Sequence, residues 1–196
     1  MTPKAQLILD QLLEGNLRFR TGESRHYDYQ PETISHLADN QRPMAAIVAC
    51  SDGRVGPDVI FNQPLGKLFV SRVPGNVASD SAKWMLEIAV ADLHVPLVMV
   101  LGHTRCLAVG QVLDGQISGP GGMLRYQIAT AVTRARSKGE GDLYRACIGE
   151  NAMHTAEVLR MESSTLRRAL DSGQTSIVAG LYDVHTGAVE ILPEQP

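Results

Sequence analysis

Four short apolar runs, set apart by stretches of helical character, restrict this chain to very few architectures. Ala45–Ala49, Leu68–Ser71, Leu97–Leu101 and Ser176–Tyr182 are all of strand length and are apolar at nearly every position. A strand without polar alternation is buried on both faces, which is the condition of a parallel sheet covered by helices on each side. Between the runs, Ala82, Met85, Leu86, Ala89, Val90 and Leu93 recur at close to 3.6-residue spacing behind Asp80 or Ser81 as a cap. Residues 151–170 read as one helix with Ala152, Ala156, Leu159, Leu166 and Leu170 inward and Gly173 as its stop. The expectation is a three-layer α/β fold. A central, mainly parallel sheet is flanked by helices and ends in an edge hairpin, where Asp183–Gly187 turns into Ala188–Leu192.

The same reading gives one domain over residues 1–196, with 1–40 as an N-terminal helical arm. Residues 4–19 place Leu7, Ile8, Leu12, Leu13 and Phe19 near one helical face, with Gly15 weakening the middle. The polar and aromatic stretch from Thr21 to Pro31 is expected to pack outside its own core, with Tyr27 and Tyr29 at a subunit surface. Gly119–Gly122 breaks the chain before a helix over 123–137, and 138–142 form a further loop. There is no repeat, linker or low-complexity tract.

Bulk properties exclude several classes of function. A net charge of −3 and a pI near 6.1 leave no basic footprint for nucleic acid or an anionic membrane. No apolar run approaches the roughly 20 residues needed to span a bilayer. The first residues lack the charged head and long apolar stretch of a secretory signal. Three cysteines cannot close a disulfide framework, so a reducing, cytoplasmic setting is expected.

The chemistry lies where two of the runs end. Cys50 follows the first run and opens Cys50-Ser51-Asp52-Gly53-Arg54; His103 and Cys106 follow the third run in His103-Thr104-Arg105-Cys106. If the two runs are neighbouring parallel strands, their C-terminal ends bring two thiolates and one imidazole into one crevice. That donor set suits Zn²⁺ and leaves a fourth position for an exchangeable group. Taken singly, Cys50 reads as a buried, inert thiol and the His-x-x-Cys pair is weak; the joint pattern points to metal. Asp52 is the candidate hydrogen-bond acceptor beside the metal, or a fourth ligand that swings in and closes the site. Arg54 can clamp Asp52 through its guanidinium fork.

These two segments resemble the Cys-x-Asp-x-Arg and His-x-x-Cys segments of the β-class carbonic anhydrases. The resemblance extends to Gly15-Asn16-Leu17-Arg18-Phe19, to Phe69–Asn76, to Gly180-Leu181-Tyr182-Asp183 and to Thr186-Gly187, covering roughly residues 10 to 192 in order. It implies zinc-dependent, reversible hydration of CO₂ to bicarbonate by zinc-bound hydroxide. Cys50, His103 and Cys106 would be the metal ligands, with Asp52 as catalytic residue or fourth ligand and Arg54 as its partner. Gln63 and Gly102 would be the substrate contacts, and the assembly a homodimer or homotetramer. Two alternatives stand beside it: a non-catalytic, zinc-stabilised or bicarbonate-sensing homologue, and a CS₂-type hydrolase on the same scaffold.

The chain departs from the family pattern at three points. Leu107 stands where the family has Gly, and its bulk is expected to narrow the pocket or reposition the loop carrying His103 and Cys106. Gly53 replaces a common Ser. Val73-Pro74 replaces Asn-Ala, deleting a polar side chain and a backbone donor. His26, His36, His94, His154 and His185 are possible proton shuttles but read mainly as exposed helix or loop residues. Cys147 reads as a packed thiol near a helix start.

Overall fold

The computed structural model describes residues 1–39, 41–139 and 141–193. In chain order the helices are α1 (Pro3–Thr21), α2 (Pro31–Asp39), α3 (Pro57–Ile60), α4 (Asp80–Ala91), α5 (Leu107–Leu113), α6 (Gly122–Lys138), α7 (Leu143–Glu162) and α8 (Ser164–Asp171). The strands are β1 (Ala45–Ala49), β2 (Leu68–Arg72), β3 (Leu97–His103), β4 (Ser176–Tyr182) and β5 (Val189–Ile191). They form one sheet in the order β2-β1-β3-β4-β5, parallel except for β5, which runs antiparallel to β4. The three-layer architecture and the edge hairpin are as the sequence indicates.

Alternate residues of the buried strands serve opposite layers, because successive side chains of a strand point to opposite faces. Ala46, Val48, Val98, Val100, Ile177 and Ala179 pack with Ala82, Leu86 and Ala89 of α4, Ala152, Ala156 and Leu159 of α7 and Leu166 of α8. Ala45, Ile47, Ala49, Leu97, Met99 and Leu101 pack with Ala5, Leu9 and Leu12 of α1. β2 and β3 lie on opposite sides of β1, so the chain reverses direction across the sheet between β1 and β3. A crevice at the carboxyl ends of these two strands is where open α/β sheets bind ligands.

Several local expectations are corrected. On α1, Leu12 is buried and Ile8, Leu13 and Phe19 pack partly buried against the core as expected, whereas Leu7 is exposed and Ala5, Leu9, Gly15 and Asn16 complete the inward face. Gly15 lies on that buried face, where it permits contact. A Cβ there would lie 1.9 Å from the Phe61 carbonyl oxygen, so only glycine lets α1 approach the backbone that follows α3. The next residue, Asn16, is buried and secures that contact. Its amide donates to Ile60 O at 3.1 Å and Gly187 O at 2.8 Å, and its oxygen accepts from Val189 N at 2.9 Å.

The expected single helix over 151–170 is two helices, and the first starts eight residues earlier than expected. Asp142 caps α7 by accepting from the amides of Tyr144 and Arg145. Ser163 leaves helical geometry, at φ −99° and ψ 113°, and caps α8 through Leu166 N. The cap of α4 is Ser79 rather than Asp80 or Ser81. The stretch after α1 is stitched to its own chain. Arg25 N donates to Asn62 Oδ1 at 2.9 Å, Tyr27 Oη donates to Asn62 O at 2.8 Å, and Tyr29 Oη accepts from Leu65 N at 3.0 Å. None of the described helices is long and apolar enough to cross a membrane.

Candidate metal centre

β1 runs out into Cys50, and the paired strand β3 ends at His103 one turn before Cys106, which caps the N-terminus of α5. The register that aligns Ala49 with Leu101 therefore brings the two segments together. The Cys50 and Cys106 sulfurs are 3.8 Å apart. One ligand atom from each of Cys50, His103 and Cys106 lies within 4.8 Å of the others, and all three residues are buried. The β3–β4 pairing continues past the strand end and holds the turn between the ligands. Thr104 N donates to Tyr182 O at 2.9 Å, and Thr104 Oγ1 accepts from Val184 N at 3.0 Å.

The donor atoms of this cluster suit a soft divalent cation. His103 Nδ1 sits 3.0 Å from Thr104 O, which can only accept, so this nitrogen carries the proton. The fully buried Nε2 is then the nitrogen left to ligate, and it has no hydrogen-bond partner among the described residues. Such an orphan is costly to bury unless something uses it. The Cys50 thiol is pulled down, chiefly by its hydrogen bond with the Cys106 thiol 3.8 Å away, with the Asp52 and Gly75 amides assisting against burial. Cys106 is pushed up by the same contact and by its own burial. A cation that displaced the thiol protons would meet two thiolates and one imidazole nitrogen, a donor set that fits Zn²⁺.

Asp52 does not join that group of atoms. Arg54 holds it with Nε at 2.9 Å from Oδ1, Nη2 at 2.7 Å from Oδ2 and its own amide at 2.9 Å from Oδ1. The guanidinium keeps the Asp52 carboxyl well below the usual carboxylate range. Arg54 Nη2 also donates to Arg105 O at 3.2 Å, so one side chain ties both ligand segments. Arg72, at the end of β2, clamps the first segment from the other side. Its Nε donates to Cys50 O at 3.1 Å and its Nη2 to Asp52 O at 2.5 Å.

Of the other expected site residues, Gln63 lies outside this cluster and Gly102 adjoins His103 within β3. Gln63 donates to Phe61 O at 2.9 Å and lines a cleft of about 410 Å³ with Gln11, Glu14, Arg18, Tyr27 and Lys67, away from the cluster. Gly102 is buried inside β3, where an added Cβ would be 3.2 Å from Ala152 Cβ; in this chain it serves the packing of α7. Leu107 is 70 % exposed at the first position of α5, so in the single chain it does not fill the crevice. Pro74 takes the first position of a 3₁₀ turn over Pro74–Asn76, where its missing N–H leaves no helical bond unmade.

Two residues near the site were not singled out in the sequence. Tyr144 Oη donates to Cys106 O at 2.6 Å, and Asn151 Nδ2 donates to Gly75 O at 2.6 Å. Both belong to α7, seven residues apart and so on one face. The Asp142 cap is the signal that would have extended this helix to include Tyr144.

Comparison with known proteins agrees with the geometry. The carbonic anhydrase family model matches residues 45–189, from the start of β1 to the start of β5. A carbonic anhydrase of Mycolicibacterium smegmatis is 33 % identical over 187 residues, covering 92 % of this chain and 89 % of that protein. Carbonic anhydrase 2 of Mycobacterium tuberculosis is 34 % identical over 184 residues, covering 90 % and 87 %. Among solved structures, the β-carbonic anhydrase CafA of Aspergillus fumigatus superposes with a TM-score of 0.75 at 25 % identity, covering 85 % of this chain and 83 % of that one. From its strand order, its Cys–His–Cys cluster and these relatives, the chain belongs to the β-class carbonic anhydrase family.

Proposed function

We propose that the protein is a zinc enzyme that interconverts CO₂ and bicarbonate, with Cys50, His103 and Cys106 as the metal ligands. The observation that carries this reading is the lock of Arg54 on Asp52, which holds the carboxylate outside the group of three ligand atoms. Zinc held by these residues would supply Lewis acidity, bringing the pKa of a water toward neutrality. Everything else falls to the chain. Asp52 accepts a hydrogen bond from the attacking water and orients its lone pair toward the carbon of CO₂. A carboxylate held so far below its ordinary range is a poor base, so Asp52 orients and the proton leaves to buffer. Arg54 keeps Asp52 ionised and prevents it from becoming a ligand, which disfavours the non-catalytic reading.

Assembly as a homodimer or homotetramer is part of the same proposal, and α2 supports it. That helix buries none of its residues, and its Ile34 is 53 % exposed. Gln63 and Gly102 remain proposed substrate contacts, Gln63 through such an assembly. A reducing compartment such as the cytoplasm suits two thiols 3.8 Å apart that must stay available to metal.

Stopped-flow CO₂ hydration on protein of measured zinc content tests the reading, with chelated protein as control and CS₂ hydrolysis in parallel. Hydration that rises in proportion to zinc is expected. One zinc per chain with no rate above buffer, or turnover of CS₂ alone, would overturn it.

A further inference from the structure

The Gly75 amide sits 3.4 Å from the Cys50 sulfur and donates to it. Its place depends on an unusual backbone. Gly75 has φ +70°, and an added Cβ would be 2.7 Å from Ile128 Cδ1, so no other residue fits without displacement. What holds this glycine from behind is α7. Asn151 is buried, and its Nδ2 donates to the Gly75 carbonyl at 2.6 Å. The carbonyl can only accept, so the amide nitrogen must face it. The peptides on both sides of Gly75 are thereby pinned, one by Cys50 and one by Asn151.

We propose that Asn151 is a positioning residue for the metal ligand Cys50, fixing the Gly75 carbonyl and so aiming the Gly75 N–H at the sulfur. The proposal rests on the metal reading above and adds a purpose for the contact. Two thiolates donate strongly and blunt the Lewis acidity of the ion they hold. A hydrogen bond to one sulfur withdraws part of that donation, and outer partners of this kind tune metal sites. Tyr144, seven residues earlier on the same face, holds the other ligand segment through Cys106 O. A single helix therefore secures both halves of the centre.

The test uses full-length protein loaded with Co²⁺ or ¹¹³Cd²⁺, in wild type, Asn151→Leu and Asn151→Asp. In the wild type a scalar coupling is expected between ¹¹³Cd and the Gly75 amide proton through the sulfur, and slow exchange of the Asn151 side-chain amide. Both variants should lose the coupling. Their thiolate-to-cobalt absorption should move to longer wavelength, because the sulfur becomes more electron-rich. A merely structural asparagine would lower the thermal midpoint of metal-free protein and leave absorption and coupling unchanged, which overturns the proposal. Absence of the wild-type coupling, or rapid exchange of the Asn151 amide, overturns it even if neither variant folds. Wild type that takes up neither ion removes the metal reading and this proposal together; wild type that loads normally, with variants indistinguishable from it, removes this proposal alone.

Discussion

Replacing glycine by alanine at two helix-interior positions should change stability in opposite directions. Gly15 and Gly149 both lie within long helices, α1 and α7, and both are buried. Alanine at either site gains roughly 1 kcal/mol of helix propensity. At Gly149 the nearest atom to an added Cβ is Leu192 Cδ1 at 4.0 Å, an ordinary contact, so the gain survives. At Gly15 the added Cβ would be 1.9 Å from Phe61 O and 2.9 Å from Phe61 C. These are backbone atoms at the end of a short helix, and they cannot rotate aside. Overpacking of this kind costs up to about 3 kcal/mol, which exceeds the propensity gain and leaves a loss of roughly 2 kcal/mol. For a chain of this length about 1 kcal/mol moves the melting midpoint by roughly 2–4 °C. Gly149→Ala should therefore melt about 2–4 °C higher and Gly15→Ala about 4–8 °C lower than wild type, by circular dichroism under identical metal loading. A Gly15→Ala protein as stable as wild type would refute the close approach of α1 to Phe61.

Other outcomes follow from the site. Cys50→Ser and Cys106→Ser should lose stoichiometric zinc by metal analysis, whereas Asp52→Asn should keep it and hydrate CO₂ about 10- to 100-fold more slowly. Because the folded-state pKa of Asp52 is depressed by Arg54, the stability due to that pair is complete above its ordinary value of 3.8 and is lost only as pH falls below it. The difference in melting midpoint between wild type and Arg54→Gln should accordingly stay constant from pH 6 to pH 9 and shrink only in acid. Tyr144→Phe removes the hydroxyl that donates to Cys106 O at 2.6 Å and should destabilise the protein by about 1 kcal/mol in chemical denaturation.

The parts of this fold that were legible in the sequence are those set by burial. β1, β3 and β4 are buried at every residue, and strands in that position are apolar at nearly every residue. The metal-site candidates were equally visible, because strand ends carry the Cys and His residues and register is fixed by the same apolar runs. Features governed by single polar contacts were not. The break between α7 and α8 is made by one serine, whose hydroxyl accepts from Leu166 N and donates to Glu87 Oε1 at 2.7 Å. Nothing in its flanking periodicity marks it. Gly15 reads locally as a poor helix former, and its use emerges only with the Phe61 carbonyl beside it. Asn151 reads as an ordinary helix residue until Gly75, far away in sequence, arrives against its amide. Leu107 stands beside Cys106 in sequence, but in the single chain the start of α5 turns it outward.

X-ray absorption at the zinc edge of metal-loaded protein tests the centre most directly. Two sulfur scatterers near 2.3 Å and two lighter atoms near roughly 2.0–2.1 Å are expected, from Cys50, Cys106, His103 and one exchangeable oxygen. A single sulfur, or zinc bound well below one ion per chain, would contradict the assignment of Cys50, His103 and Cys106 as the site.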